Sequence, residues 1–200
     1  MINSDKLEKV VAEYKKYFPS HWEDEKYKWE AIRCFQDNWD IRAENFGEMF
    51  KKATDKTFNL LASGYAYPRG MILEFAKADD TATRNMFINA AEEIRAKYDN
   101  GTWKKHYQNT NSVSTYLWLM YPDKYYIYKY ELYKAVADEL DDTYTPKRNG
   151  SVQNMIDGFK MYDEICGVLK ADNNIRQMLH EAVTDKCYSD PELKTVTIIQ

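Results

Sequence analysis

The stretch YPDKYYIYKYELYK, residues 121–134, holds six tyrosines and three lysines against two acids, one isoleucine and one leucine. Tyrosine can bury its ring while its hydroxyl reaches water, and lysine stems can cover apolar surface, so these residues can wall a helical core. Exposed, the same residues would stack on unpaired bases and follow phosphates. Fold and function both turn on which arrangement holds. If 125–130 is extended, Tyr126, Tyr128 and Tyr130 share one face while Tyr125, Ile127 and Lys129 share the other, so one face could be core and one surface.

The tract extends beyond these fourteen residues. From 103 to 134, Lys104, Lys105, Lys124, Lys129 and Lys134 face only Asp123 and Glu131, and eight of the 17 tyrosines fall between 107 and 133. The whole chain carries a formal charge of −4, so binding to nucleic acid would need a local patch rather than overall charge. On its N-terminal side the segment SVSTYLWLMY, opened by Asn111 or Ser112, reads as a short buried helix ending at Pro122. On its C-terminal side ELYKAVADEL returns to helical spacing with Leu132, Val136 and Leu140.

The rest of the chain is mostly helical in pattern. Ser4 or Asp5 can cap a first helix with Leu7, Val10, Val11, Tyr14 and Phe18 on one side, expected to end at Pro19. A second helix is predicted over 23–36 and a third along AENFGEMFKKATDKTFNLL. Pro68 suits a first helical position before Met71, Ile72 and Phe75, and Asp79, Asp80 or Thr81 can cap TATRNMFINAAEEIRAKY, closed by Asn100 and Gly101. The loop DDTYTPKRNG precedes a helix begun at Ser151, and a last helix covers 174–186. The ending TVTII is β-branched and reads as a strand without a partner. The expected fold is mainly α: a single multi-helix domain over 1–190, with room for a short β-strand pair, and 191–200 as the start of a linker or strand leading to a downstream region.

At 200 residues, 44% hydrophobic and 30% charged, with 7 glycines and 5 prolines, the chain can bury a proper core of long helices. No apolar run approaches the roughly 18 to 20 residues of a membrane helix, and the start MINSDKLEKVVAEYKKYF lacks the features of a secretory signal. A cytoplasmic protein without membrane contact is expected. Cys34, Cys166 and Cys187 are far apart and suggest buried apolar residues rather than a disulfide or zinc framework.

Motifs for chemistry are sparse. There is no phosphate loop, no G-x-G-x-x-G turn, no H-E-x-x-H and no G-x-S-x-G elbow. His180 and Cys187 are the minimum for a nucleophile pair, but no third orienting group accompanies them. Glu192 and Lys194 with Asp185 or Asp190 have the residue types of a metal-dependent nuclease, and Asp190-Pro191-Glu192 equally reads as a helix-entry turn. Neither arrangement makes an enzyme of this chain, and no cofactor or metal is called for.

Several segments, in order, resemble the N-terminal region of McrB-like AAA-family NTPases of modification-dependent restriction systems: W-x-A-I-R-C-F-Q-x-x-W-D-I (29–41), F-x-x-M-F-K-K-A (46–53), N-L-L (59–61), P-R-G-M-I-L-E-F-A (68–76) and V-S-T-Y-L-W-L-M-Y-P-D-K-Y-Y-I-Y-K (113–129). The resemblance covers about 25–135. It implies a specificity or adaptor module placed before a nucleotide-hydrolysing motor, acting in phage defence. The motor's phosphate loop is absent from these residues, so hydrolysis does not carry over. The leading expectation is a DNA-binding surface, the DNA itself carrying a modified base or not. In it Lys104, Lys105, Lys129, Lys147 and Arg148 would hold phosphates, and Tyr125, Tyr126 and Tyr128 would stack on a distorted or extruded base. The alternative is a protein-interaction module that docks a nuclease subunit or the motor without touching DNA.

Overall fold

A computed structural model describes residues 2–57, 101, 109–140, 143–148 and 151–197. The chain folds as a single, mainly α-helical domain. The described helices are α1 (Ser4–Glu25), α2 (Tyr27–Asn38), α3 (Phe46–Ala53), α4 (Thr110–Met120), α5 (Tyr130–Glu139), α6 (Val152–Ala171) and α7 (Asn173–Ala182), with a 3-10 turn at Asp55–Thr57 after α3. The helices expected between 58 and 100 lie outside the described residues.

Caps set several helix starts. The side chains of Asn3, Asn45, Asn109, Ser151 and Asp172 each accept a backbone N–H from the first turn of α1, α3, α4, α6 and α7. Asn3 and Asn109 thus do the work expected of Ser4 or Asp5 and of Asn111 or Ser112. Pro19 does not end α1, which continues to Glu25 with the proline inside it. The reason is packing: Tyr14, Phe18 and Trp22 continue one apolar stripe across the proline and meet Trp29 of α2, with successive ring centroids 5.6, 5.3 and 4.9 Å apart.

α4 is the central helix, buried on every side from Ser112 to Leu119. α2 packs on it, and α1, α3 and the 3-10 turn pack on α2, while α7 packs on α6. Residues 125–129 are neither helix nor strand, with Lys129 extended just before α5, and no strand occurs among the described residues. The expected strand pair is replaced by side chains of α4. Ser114 Oγ accepts the Tyr128 N–H at 2.8 Å, and Asn111 Nδ2 donates to the Tyr128 carbonyl at 2.8 Å. These two bonds satisfy backbone groups that would otherwise be buried and unpaired.

The end of the chain is also not a strand over 195–197. There the backbone turns, with Thr197 N–H bonding Leu193 carbonyl at 3.2 Å, because Asp190 and Leu193 both take left-handed conformations, φ +49° and +52°. Residues 188–197 are built into the core and tie three helices together. Tyr188 N–H bonds the Trp29 carbonyl of α2, Trp118 Nε1 of α4 donates to Thr195 Oγ1 at 3.1 Å, and Cys166 Sγ of α6 donates to the Glu192 carbonyl at 3.2 Å. Among the described residues no helix is long and apolar enough to cross a membrane.

Candidate interaction surfaces

The centre of the tyrosine tract is core. Tyr125, Tyr126 and Tyr128 are 6%, 1% and 2% exposed, so the expectation that they stack on a base is corrected: residues 125–128 are all buried. Tyr125 and Tyr126 lie against Phe159 of α6, with centroids 6.3 and 5.9 Å away, and Tyr126 also meets Tyr162. Tyr128 runs across Gly158, where a Cβ would stand 3.0 Å from its ring, so glycine is what lets the segment lie this close to α6.

Their hydroxyls are placed as carefully as their rings. Tyr126 OH donates to Asp163 Oδ1 at 2.8 Å and accepts from Lys194 Nζ at 2.8 Å, and that ammonium also lies 4.4 Å from the Tyr126 ring centre. Tyr128 OH accepts from Asn154 Nδ2 at 2.6 Å. Burial pushes both hydroxyls above the ordinary tyrosine range, Tyr128 to about 12, and the Cys166 and Asp163 side chains push Tyr126 further in the same direction. Tyr162 OH is buried without a hydrogen-bond partner.

The expected cations are distributed differently. Lys104 and Lys105 lie outside the described residues. Lys129 is half-buried just before α5. Lys147 and Arg148 are exposed on the loop before α6, whose shape is fixed by Asn154: its amide accepts the Lys147 N–H at 3.0 Å and donates to the Lys147 carbonyl at 2.8 Å. Arg148 pairs with Glu131 at 3.4 Å, which brings it to the first turn of α5. Of the expected cations, Lys147 and Arg148 are thus exposed next to each other with an acid beside Arg148, and Lys129 is half-buried.

The carboxylates of the nuclease-like arrangement have other partners. Asp190 is fully buried and accepts N–H groups from Thr195 (3.2 Å), Val196 (3.0 Å) and Trp29 Nε1 (3.3 Å). Burial outweighs these donors and pushes its carboxyl up to about 6. Glu192 pairs with Lys170, and Lys194 with Asp163. No set of three His, Cys, Asp or Glu able to hold a metal occurs among the described residues. Cys187 is buried with its Sγ 3.7 Å from Thr184 Oγ1, whereas His180 is exposed on the last turn of α7.

A feature not visible in the sequence is a groove of about 340 Å³ between α1, α5 and α6. Leu7 and Val10 of α1, Leu132, Ala135 and Val136 of α5 and Ile165 of α6 line it, and among the described residues Glu139 is its one ionisable group. The apolar stripes of α1 and α5 are readable separately, but their meeting with space left between them depends on contacts across more than a hundred residues. A smaller cavity, about 20 Å³ and walled by Tyr14, Trp22 and Trp29, has the size of about one water.

No protein-family model matches the chain, and no curated protein or solved structure matches it.

Proposed function

We propose that the chain is a protein-docking adaptor, the N-terminal module of a McrB-like restriction NTPase that engages a nuclease subunit or the motor. The observation that carries this reading is the inward placement of Tyr125, Tyr126 and Tyr128, which removes the stacking platform a base-reading surface would need, together with an open apolar groove elsewhere on the domain. The net charge of −4 supports it, since an acidic domain is repelled by phosphate backbones. The segments between 25 and 135 that resemble McrB-like N-terminal regions supply the class of partner.

Direct DNA binding is the second reading, favoured by the exposure of Lys147 and Arg148. Lys104 and Lys105 would belong to the same phosphate-holding set. The two readings separate in one experiment. Sedimentation velocity of the chain mixed with the motor and the nuclease subunit of such a system should show a complex that survives the combined change Lys129→Glu, Lys147→Glu and Arg148→Glu. A duplex bound near 50 mM salt and released by that same change would instead establish the DNA reading.

A further inference from the structure

We infer that the groove between α1 and α5 is a receptor for a basic, amphipathic helix of a partner protein; this rests on the adaptor reading and specifies its contact. Three observations lead there. The walls are largely apolar, with Leu7 and Val10 of α1 facing Leu132 and Val136 of α5 and with Ile165 of α6 and Thr197 completing the lining, and these α1 and α5 residues belong to the core or pack against it. A helix is the element that fills such a space, laying side chains at i, i+3, i+4 and i+7 into it. From Leu132 to Leu140 the α5 wall runs about 12 Å, the length of two turns of a docked helix.

Charge chooses the partner. Glu139 lines the groove, is exposed, and has no ion-pair partner among the described residues, while neighbouring Asp138 already holds Lys134. Among the described residues no cation lines the groove. An apolar surface carrying one unpaired carboxylate favours a helix with lysine or arginine beside its apolar stripe and disfavours an acidic one.

The test uses the full chain and two synthetic 14-residue helices with leucine at i, i+3, i+4, i+7 and i+8. One has lysine on its flanks and the other has glutamate, and binding is read by fluorescence anisotropy. The lysine peptide should bind at least tenfold tighter than the glutamate peptide. Ala135→Arg, at an exposed groove position, should abolish that binding, and Glu139→Lys should reverse the order of the two peptides, whereas Asp185→Lys, exposed in the turn after α7, should leave it unchanged. The inference is overturned if neither peptide binds, if Asp185→Lys acts as strongly as Glu139→Lys, or if Ala135→Arg has no effect. It is also overturned if binding appears only after Ile198→Asp and Ile199→Asp, which would assign the groove to the chain's own end. A concentration-dependent dimer lost on Ala135→Arg would assign it to a second copy and overturn it likewise. A chain that still assembles with the motor or nuclease subunit when it carries Ala135→Arg would remove the groove from the account and leave the adaptor reading standing.

Discussion

At position 158 a single hydrogen decides how closely the tyrosine tract can approach α6. Gly158→Ala would drive a methyl to 3.0 Å from the Tyr128 ring and 3.4 Å from Tyr133, and both rings are held by packing on their other sides. Overpacking of this kind costs about 1 to 3 kcal/mol, which a urea midpoint shift at unchanged slope would report. Asp190 gives the residue scale a pH signature. Its carboxyl is pushed up to about 6 in the fold, against an ordinary value near 4 when unfolded, so the folded state binds the proton more tightly. Its contribution is therefore fully present below about pH 4 and is lost as pH rises through about 6, by at most about 3 kcal/mol. Stability of the wild type relative to Asp190→Asn should fall over that window, and a flat difference between the two would show that the three N–H donors, not burial, set the group's protonation. The sequence offered Asp190 as a metal ligand or a turn residue, and its role is closer to the second: a short acid at positive φ whose carboxylate gathers the backbone of the turn that follows.

Elements show where the sequence was legible and where it was not. Helix type and order were readable because Leu7, Val11 and Phe18, or Met155, Phe159 and Tyr162, recur at helical spacing and end up buried. Pro19 misled, since a proline signals a stop only where nothing holds the helix beyond it; here Trp22 and Trp29 do. Pro19→Ala returns a hydrogen bond to the Lys15 carbonyl and should raise the unfolding midpoint, by as much as about 3 kcal/mol of stability if the ring now clashes with that carbonyl. For 125–129 the sequence offered an extended segment with one face in the core and one on the surface; no strand forms there, and residues 125–128 are all buried. Period-two alternation cannot tell one buried face from two, and the partner that replaces a neighbouring strand is a serine and an asparagine on a helix. Ser114→Ala should therefore destabilise by about 1 to 3 kcal/mol, since it leaves the buried Tyr128 N–H without an acceptor; Ser114→Thr, which keeps the hydroxyl, should recover part of that loss in the same denaturation assay.

For the molecule as a whole, Tyr125, Tyr126 and Tyr128 serve the interior, and the proposed docking groove is built from other residues. Tyr126 and Tyr128 behave as core residues with polar tips anchored by Asp163, Lys194 and Asn154, which is why a tract that looks like a nucleic-acid platform in one dimension is a wall in three. The candidate binding surface, by contrast, is assembled from ordinary leucines, valines and an alanine on helices distant in sequence, and nothing in their local pattern marks them. Tyrosine nitration with peptide mapping tests this partition most directly, because the reagent needs an accessible phenolate and burial both hides the ring and raises the hydroxyl's pKa. Tyr17, half exposed, should be nitrated in the native chain, while Tyr125, Tyr126 and Tyr128 should react only after denaturation. Nitration of those three in the folded protein at the rate of Tyr17 would put the tract on the surface and contradict the account.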